Sequence, residues 1–192
     1  MDQLLISLAR AVKSRRHALH PTLWLFTDDA RQQDPMAIIT RLPRGISGVV
    51  FRHDGTPGRA ALARRISLLC RARRITLVIA GDWRMAATCR AGLHLRGGAA
   101  PRTRYRGPIT TASAHDRAQI VAATRAGVTI AFLSPAFATA SHPGERPLDA
   151  VRWAGLAQAC KTPVLALGGV AGRAPLRLAT ICAGFGAIGA LS

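Results

Sequence analysis

The sequence predicts a single α/β domain folded as a compact TIM (β/α)8 barrel, on three observations. Eight short apolar runs recur along the 192 residues. Helix-patterned segments lie between most of them, the alternation that builds a parallel sheet either closed on itself or doubly wound. A GxGxxG between the first run and its helix, the mark of an open dinucleotide-binding sheet, is missing, and a count of eight favours closure.

Leu4, Leu5, Leu8, Ala11 and Val12 recur at helical spacing, so residues 2–19 read as an amphipathic helix ended by Pro21. That helix (1–20) precedes a barrel expected over 22–192. Strands are expected at 23–27 (LWLFT), 46–51 (ISGVVF), 75–80 (ITLVIA), 92–95 (GLHL), 108–112 (PITTA), 128–133 (VTIAFL), 163–167 (PVLAL) and 185–189 (FGAIG). Helices are expected at 34–42, 58–73, 83–90, 115–126, 148–160 and 173–183. Two elements of a full barrel are lacking: RGGAAPRTRYRG is too short to hold a regular fourth helix, and no eighth helix follows the last strand. The N-terminal helix is expected to cover the flank near the missing final helix, and a homo-oligomer contact at the fourth connection is the other way to cover apolar surface.

Composition narrows the function. Hydrophobic residues make up 49% and aromatics 5%, which suits a core of Ala, Leu, Ile and Val in buried parallel strands. The net charge is +18, yet arginine supplies 25 of the 27 basic residues and is spread from Arg10 to Arg177 without aromatic interleaving. Specific nucleic-acid binding is therefore not expected, while small anionic ligands would still be attracted. Cys70, Cys89, Cys160 and Cys182 show no CxxC spacing, so free thiols are expected rather than a zinc site or a disulfide framework. No secretory signal pattern and no run of about 18 apolar residues is present, which leads to the expectation of a cytoplasmic protein without a membrane partner.

In an α/β barrel the functional face lies at the C-terminal ends of the strands. Asp28, Arg52, Asp82, Arg96, Ser113, His115, the loop after Leu133, Gly168, Gly169 and Gly189 are thereby expected to gather at one face. LSPAFATASHPG, LALGGV and GAIGAL put small and hydroxyl-bearing residues at the ends of strands six to eight. Backbone N–H groups can approach an anion closely there, so the pattern suits a phosphate. His115 has the chemistry to take and give a proton near neutral pH, or, with Ser113, it opens the following helix beside Asp116. Asp28, at the tip of the first strand, could orient a substrate or His115, or cap the following helix. His94, between Leu93 and Leu95, is expected to be half-buried in the barrel, and Trp24, Trp83 and Trp153 are expected to pack.

Taken in order from Leu23 to Ala190, LWLFTD, VVFR, AGD, GLHL, TASAH, LSPAFATASHPG, LALGGV and GAIGAL resemble the thiamine phosphate synthase family and its relative, the thiazole tautomerase. The resemblance implies a barrel that binds a thiazole phosphate and, in the synthase, joins it to a pyrimidine pyrophosphate with magnesium and loss of diphosphate. By resemblance, Thr139, Ser141 and the N–H groups of Gly168, Gly169, Gly189 and Ala190 hold the phosphate, and His115 matches the proton-transferring histidine of the tautomerase. The pyrophosphate half departs from the family. The matching strand-two positions are Val50, Arg52 and Asp54, where the family has Gln, Arg and Lys. Of two magnesium-binding aspartates only Asp82 remains, Ala99 standing in place of the second, and His142 replaces a loop lysine. Arg96, with Arg102, Arg104 and Arg106, could compensate or be surface charge.

Three readings follow. The first is a metal-independent, tautomerase-like enzyme on a thiazole phosphate; the second is a magnesium-dependent synthase making thiamine phosphate; the third is a non-catalytic protein that binds a phosphate ligand.

Overall fold

The computed structural model describes residues 1–32, 34–97, 105–139 and 146–191. Eight parallel strands close in sequence order, β1 (Leu23–Phe26), β2 (Ser47–Phe51), β3 (Thr76–Ala80), β4 (Gly92–Leu95), β5 (Thr110–Ala114), β6 (Ile130–Leu133), β7 (Val164–Leu167) and β8 (Phe185–Ala187), with β8 pairing back on β1. The expected (β/α)8 barrel is the fold. Nearly every strand residue is buried, as parallel strands with helices outside and side chains inside must be.

Along each strand, alternate residues divide between two cores. Trp24, Phe26, Val50, Val78, Ile130, Phe132 and Leu165 fill the barrel, while Leu23, Leu25, Val49, Phe51, Leu77 and Ile79 face the helices. Trp24 and Phe26 meet Phe132 edge-on at 5.5 and 4.8 Å between ring centres. Such bulk in a narrow barrel demands small partners in the same layer. Gly48, the register partner of Trp24, supplies one: a Cβ there would lie 2.6 Å from the indole.

The outer layer holds α1 (Gln3–Arg15), α2 (Pro35–Arg41), α3 (Arg59–Arg73), α4 (Trp83–Thr88), α5 (Arg117–Arg125) and α6 (Asp149–Gln158). Aspartate opens four of them: Asp2, Asp34, Asp82 and Asp116 each accept a backbone N–H from the first turn of α1, α2, α4 and α5. Helix α1 is shorter than expected. It ends at the Arg16 cap, with His17 in the left-handed region, well before Pro21. Its buried Leu5, Ile6, Ala9 and Val12 face the barrel where the final helices would lie. Hydrogen bonds tie it there: the Asp2 N–H donates to Ala190 O, the Gly172 N–H to Asp2 Oδ2, Thr22 Oγ1 to Ala9 O, and the Arg15 and Arg16 guanidiniums to the carbonyls of Ala179 and Ile181.

Some expected boundaries need correction. The fifth strand starts at Thr110, two residues later than expected, because Pro108 has no N–H for the ladder, and it runs on to Ala114. The sixth starts at Ile130, since Val128 and Thr129 complete the turn around Gly127. The helix expected over 173–183 is instead a 3-10 turn, Ala174–Arg177, followed by further i+3 bonds. The last strand gives way to a second 3-10 turn, Gly189–Leu191. Between β4 and β5 the described residues carry no helix, and the Tyr105 hydroxyl closes that side by donating to Ala91 O. Trp24 and Trp153 pack as expected, whereas Trp83 stands partly exposed beneath Arg84. The four cysteines are free. Among the described residues no helix is long and apolar enough to cross a membrane.

Candidate active site

A cavity of about 790 Å³ opens at the C-terminal ends of the strands. Its floor is the barrel's aromatic plug, Phe26 with His94 edge-on at 5.5 Å. Its walls differ by side.

The wall from β1 to β4 is charged. Arg52, just beyond β2, is held at several points: its N–H donates to Thr27 Oγ1 (3.0 Å), its Nε to Thr27 O (3.0 Å) and a terminal nitrogen to Asp28 Oδ2 (3.3 Å), with the guanidinium 5.5 Å from the Phe26 ring. Burial pushes the Arg52 pKa down, and the Asp28 carboxylate beside it opposes that shift. The other Asp28 oxygen accepts the Ala30 N–H, so Asp28 makes a local turn and an ion pair; the helix cap expected of it belongs to Asp34. Asp54 binds two arginines, Arg59 at 3.2 Å and Arg96. Arg59 also reaches Asp82 at 3.2 Å. Carboxylates and guanidiniums thus alternate across the ends of the first four strands.

The wall from β5 to β8 is made of small residues. The segment after β6 lies directly on the end of β7, its Ala136 and Phe137 N–H groups donating to Leu167 O (2.8 Å) and Gly168 O (3.1 Å). Gly169 is required there. Its φ is +65°, and a Cβ would collide with the carbonyls of Phe137 and Ala138. Gly189 differs, since among the described residues a Cβ would meet nothing within 4 Å. Thr139, Gly168, Gly169, Gly189 and Ala190 all line this side.

Two histidines meet the cavity from β4 and β5. His94, expected to be half-buried, is 2% exposed. Its Nδ1 pairs with Thr111 Oγ1 at 2.8 Å and its Nε2 with Ser113 Oγ at 2.9 Å, and burial pushes its pKa down to about 3. A neutral imidazole therefore fixes the Ser113 hydroxyl at the cavity floor. His115 sits at the exposed rim. Capping of α5 falls to Asp116, whose side chain accepts the Gln119 N–H at 2.8 Å, which leaves the His115 ring to the cavity, with Ser134 Oγ 3.2 Å from Nδ1.

Of the residues singled out from sequence, Asp28, Arg52, Arg96, Ser113, His115, Thr139, Gly168, Gly169, Gly189 and Ala190 all line this one cavity. Ser141, His142, Ala99, Arg102 and Arg104 lie outside the described residues. Arg106 is exposed and away from the cavity wall. Asp82 also stands off the wall: one oxygen caps α4 through the Met85 N–H at 2.9 Å and the other meets Arg59. Both Asp82 oxygens are thus engaged by protein donors, and Ala99 brings no second carboxylate to share a hard divalent cation. Among the described residues no cluster of three or more His, Cys, Asp or Glu could hold a metal.

Sequence reasoning missed the buried Thr111–His94–Ser113 chain and the role of Asp54 as counterion. The first had a signal. Placing His94 opposite Thr111 in the β4–β5 register brings the ring between two hydroxyls one strand away.

Comparison with known proteins fits this architecture. Among solved structures, thiamine phosphate pyrophosphorylase from Pyrococcus furiosus superposes with a TM-score of 0.73 at 19% identity, over 87% of this chain and 85% of that one. A citrate synthase variant reaches a TM-score of 0.61 at 13% identity (93% and 91% covered), and an aldolase from Escherichia coli K12 reaches 0.59 at 12% (95% and 79%). At such identities the likeness is one of fold. Among curated protein sequences none matches significantly. The family model described as TMP-TENI, thiamine monophosphate synthase, matches residues 23–188, from the first residue of β1 to just past β8, and the chain belongs to that family.

Proposed function

We propose that the cavity binds a thiazole phosphate, with its phosphate against the small-residue wall, and that His115 transfers a proton in a metal-independent, tautomerase-like isomerisation. The observation that carries this reading is His115 itself. It is released from capping by Asp116, placed at the cavity rim and bonded through Nδ1 to Ser134. With Nδ1–H donating to Ser134 Oγ, Nε2 holds the lone pair that accepts a proton from one ring position and returns it to another, so no atom or electron is gained or lost. The phosphate would meet the backbone N–H groups and the Thr139 hydroxyl at the β6–β8 ends, the usual phosphate position of such barrels. Arg52, clamped by Thr27 and Asp28, would face the rest of the ligand.

Membership in the synthase family and the likeness to thiamine phosphate pyrophosphorylase favour a second reading, the magnesium-dependent coupling of thiazole phosphate with a pyrimidine pyrophosphate. Against it stand the engagement of Asp82 by Met85 and Arg59 and the carboxylate of Asp54 on the charged wall.

Calorimetric titration with thiazole phosphate, with and without magnesium, joined to turnover assays of His115→Ala, tests the proposal. The expected outcome is binding indifferent to magnesium, with tautomerisation lowered by about 100-fold or more in His115→Ala. Full turnover by His115→Ala overturns the mechanism, and magnesium-dependent diphosphate release establishes the synthase. Binding without either reaction leaves a phosphate-ligand binding protein.

A further inference from the structure

We infer that Asp54 is a built-in counter-anion that closes the charged wall to a second phosphate, so that the cavity takes a ligand with one phosphate and discriminates against diphosphates. This rests on the reading that the small-residue wall is where a phosphate binds.

Acidic residues are scarce in this chain, and their placement is selective. The eight aspartates and one glutamate stand against 27 basic residues. Four aspartates cap α1, α2, α4 and α5, and a fifth, Asp149, accepts the Val151 and Arg152 N–H groups in the first turn of α6. The remaining three, Asp28, Asp29 and Asp54, all line the cavity. Three arginines, Arg31, Arg52 and Arg96, line the same wall, so its lining residues carry no formal net charge in a chain of +18. A surface left to composition would be strongly positive here.

Within this set Asp54 is the shared acceptor. One oxygen binds Arg59 and the other binds Arg96, which places a carboxylate where two guanidiniums converge. Converging guanidiniums are the usual receptor for phosphate oxygens, and a carboxylate already between them competes for the same donors. An entering diphosphate would have to displace Asp54 and then sit beside it, like charge against like charge. A ligand whose only phosphate lies on the opposite wall meets neither obstacle.

The test is calorimetric titration of the full chain with inorganic phosphate and with inorganic pyrophosphate, for the wild type, Asp54→Asn and Asp54→Ser. The readout is the ratio of pyrophosphate to phosphate affinity. Because Asp54 and Arg96 are both about half exposed, solvent screens their pairing and the expected rise in that ratio is moderate, about five- to tenfold in both variants. Adding Arg96→Gln together with Arg59→Gln should remove the rise. An unchanged ratio in the two folded variants, or a rise that survives loss of both arginines, overturns the inference. Wild-type binding of thiazole phosphate is measured alongside: its absence counts against the proposed function, whereas the ratio alone decides the role of Asp54.

Discussion

The β1–β4 side of the cavity is lined by three arginines and three aspartates, whereas the β5–β8 side is lined mainly by glycine, alanine, serine and threonine, with His115 as its titratable group among the described residues. The charged side is held by long side chains that pair across the ends of β1 to β4. The other is held by backbone, the post-β6 segment hydrogen-bonded to the end of β7. Anion recognition by main-chain N–H groups needs close approach and no flexible parts; recognition by guanidiniums needs counterions to position them and to limit their field. The two sides should therefore respond differently to substitution, to acid and to salt.

The largest effect is expected at Gly169. Gly169→Ala forces a Cβ at φ +65° into the carbonyls of Phe137 and Ala138, and should cost about 2–4 kcal/mol, read as a fall in Tm of roughly 5–15 °C, together with ligand binding. A variant of wild-type stability would show that the backbone wall yields more than its geometry implies.

Acid comes next, through the floor that joins the two sides. Burial holds the folded-state pKa of His94 at about 3, below the value near 6.5 of a free imidazole. Above about pH 6.5 both folded and unfolded chains carry it neutral and its contribution to stability is complete. As pH falls from there towards 3, the unfolded chain alone takes up the proton, so stability falls, with a slope approaching about 1.4 kcal/mol per pH unit. Denaturant titrations of the wild type and His94→Gln across that range should show a shallower dependence in the variant; equal slopes would remove the assignment to His94.

Gly189→Ala separates binding from folding on the small-residue side. Its Cβ meets no atom of the described residues within 4 Å, so Tm should move by no more than about 1 °C, while phosphate-ligand affinity drops about tenfold as the methyl group crowds the wall. Unchanged affinity would move the phosphate elsewhere in the cavity.

The smallest effect belongs to the charged side. Arg96→Gln breaks an ion pair whose partners are about half exposed, and stability should change by under about 0.5 kcal/mol, less still at high salt. A larger loss would mean that the charged wall is structural rather than a control on ligand charge.

How much of this was legible beforehand depends on how local the cause is. The eight strands could be read because a parallel strand buried on both faces must be an apolar run wherever it lies in the chain, as LWLF and IAFL show. The small-residue wall could be read because close approach to backbone demands glycine at Gly168 and Gly169. The TTASA strand begins two residues later than its hydropathy suggests because its threonines and serine carry no hydropathy signal, and the 173–183 segment has helical apolar spacing yet closes only 3-10 turns. Asp28 and His115 were each compatible with capping until the actual caps, Asp34 and Asp116, were in view.

By itself the sequence determined the closed alternation of strands and helices, the face on which function gathers and the residue types available there, since hydropathy, glycine and proline act within a few bonds of where they stand. Only the tertiary structure decided which charges meet. Asp54 touches Arg96 across 42 positions of chain, and His94 finds Ser113 from the neighbouring strand. Pairings of that kind depend on strand register and side-chain reach, because the energy of a charge or a buried hydrogen bond is set by the group that faces it and not by its neighbours in the chain.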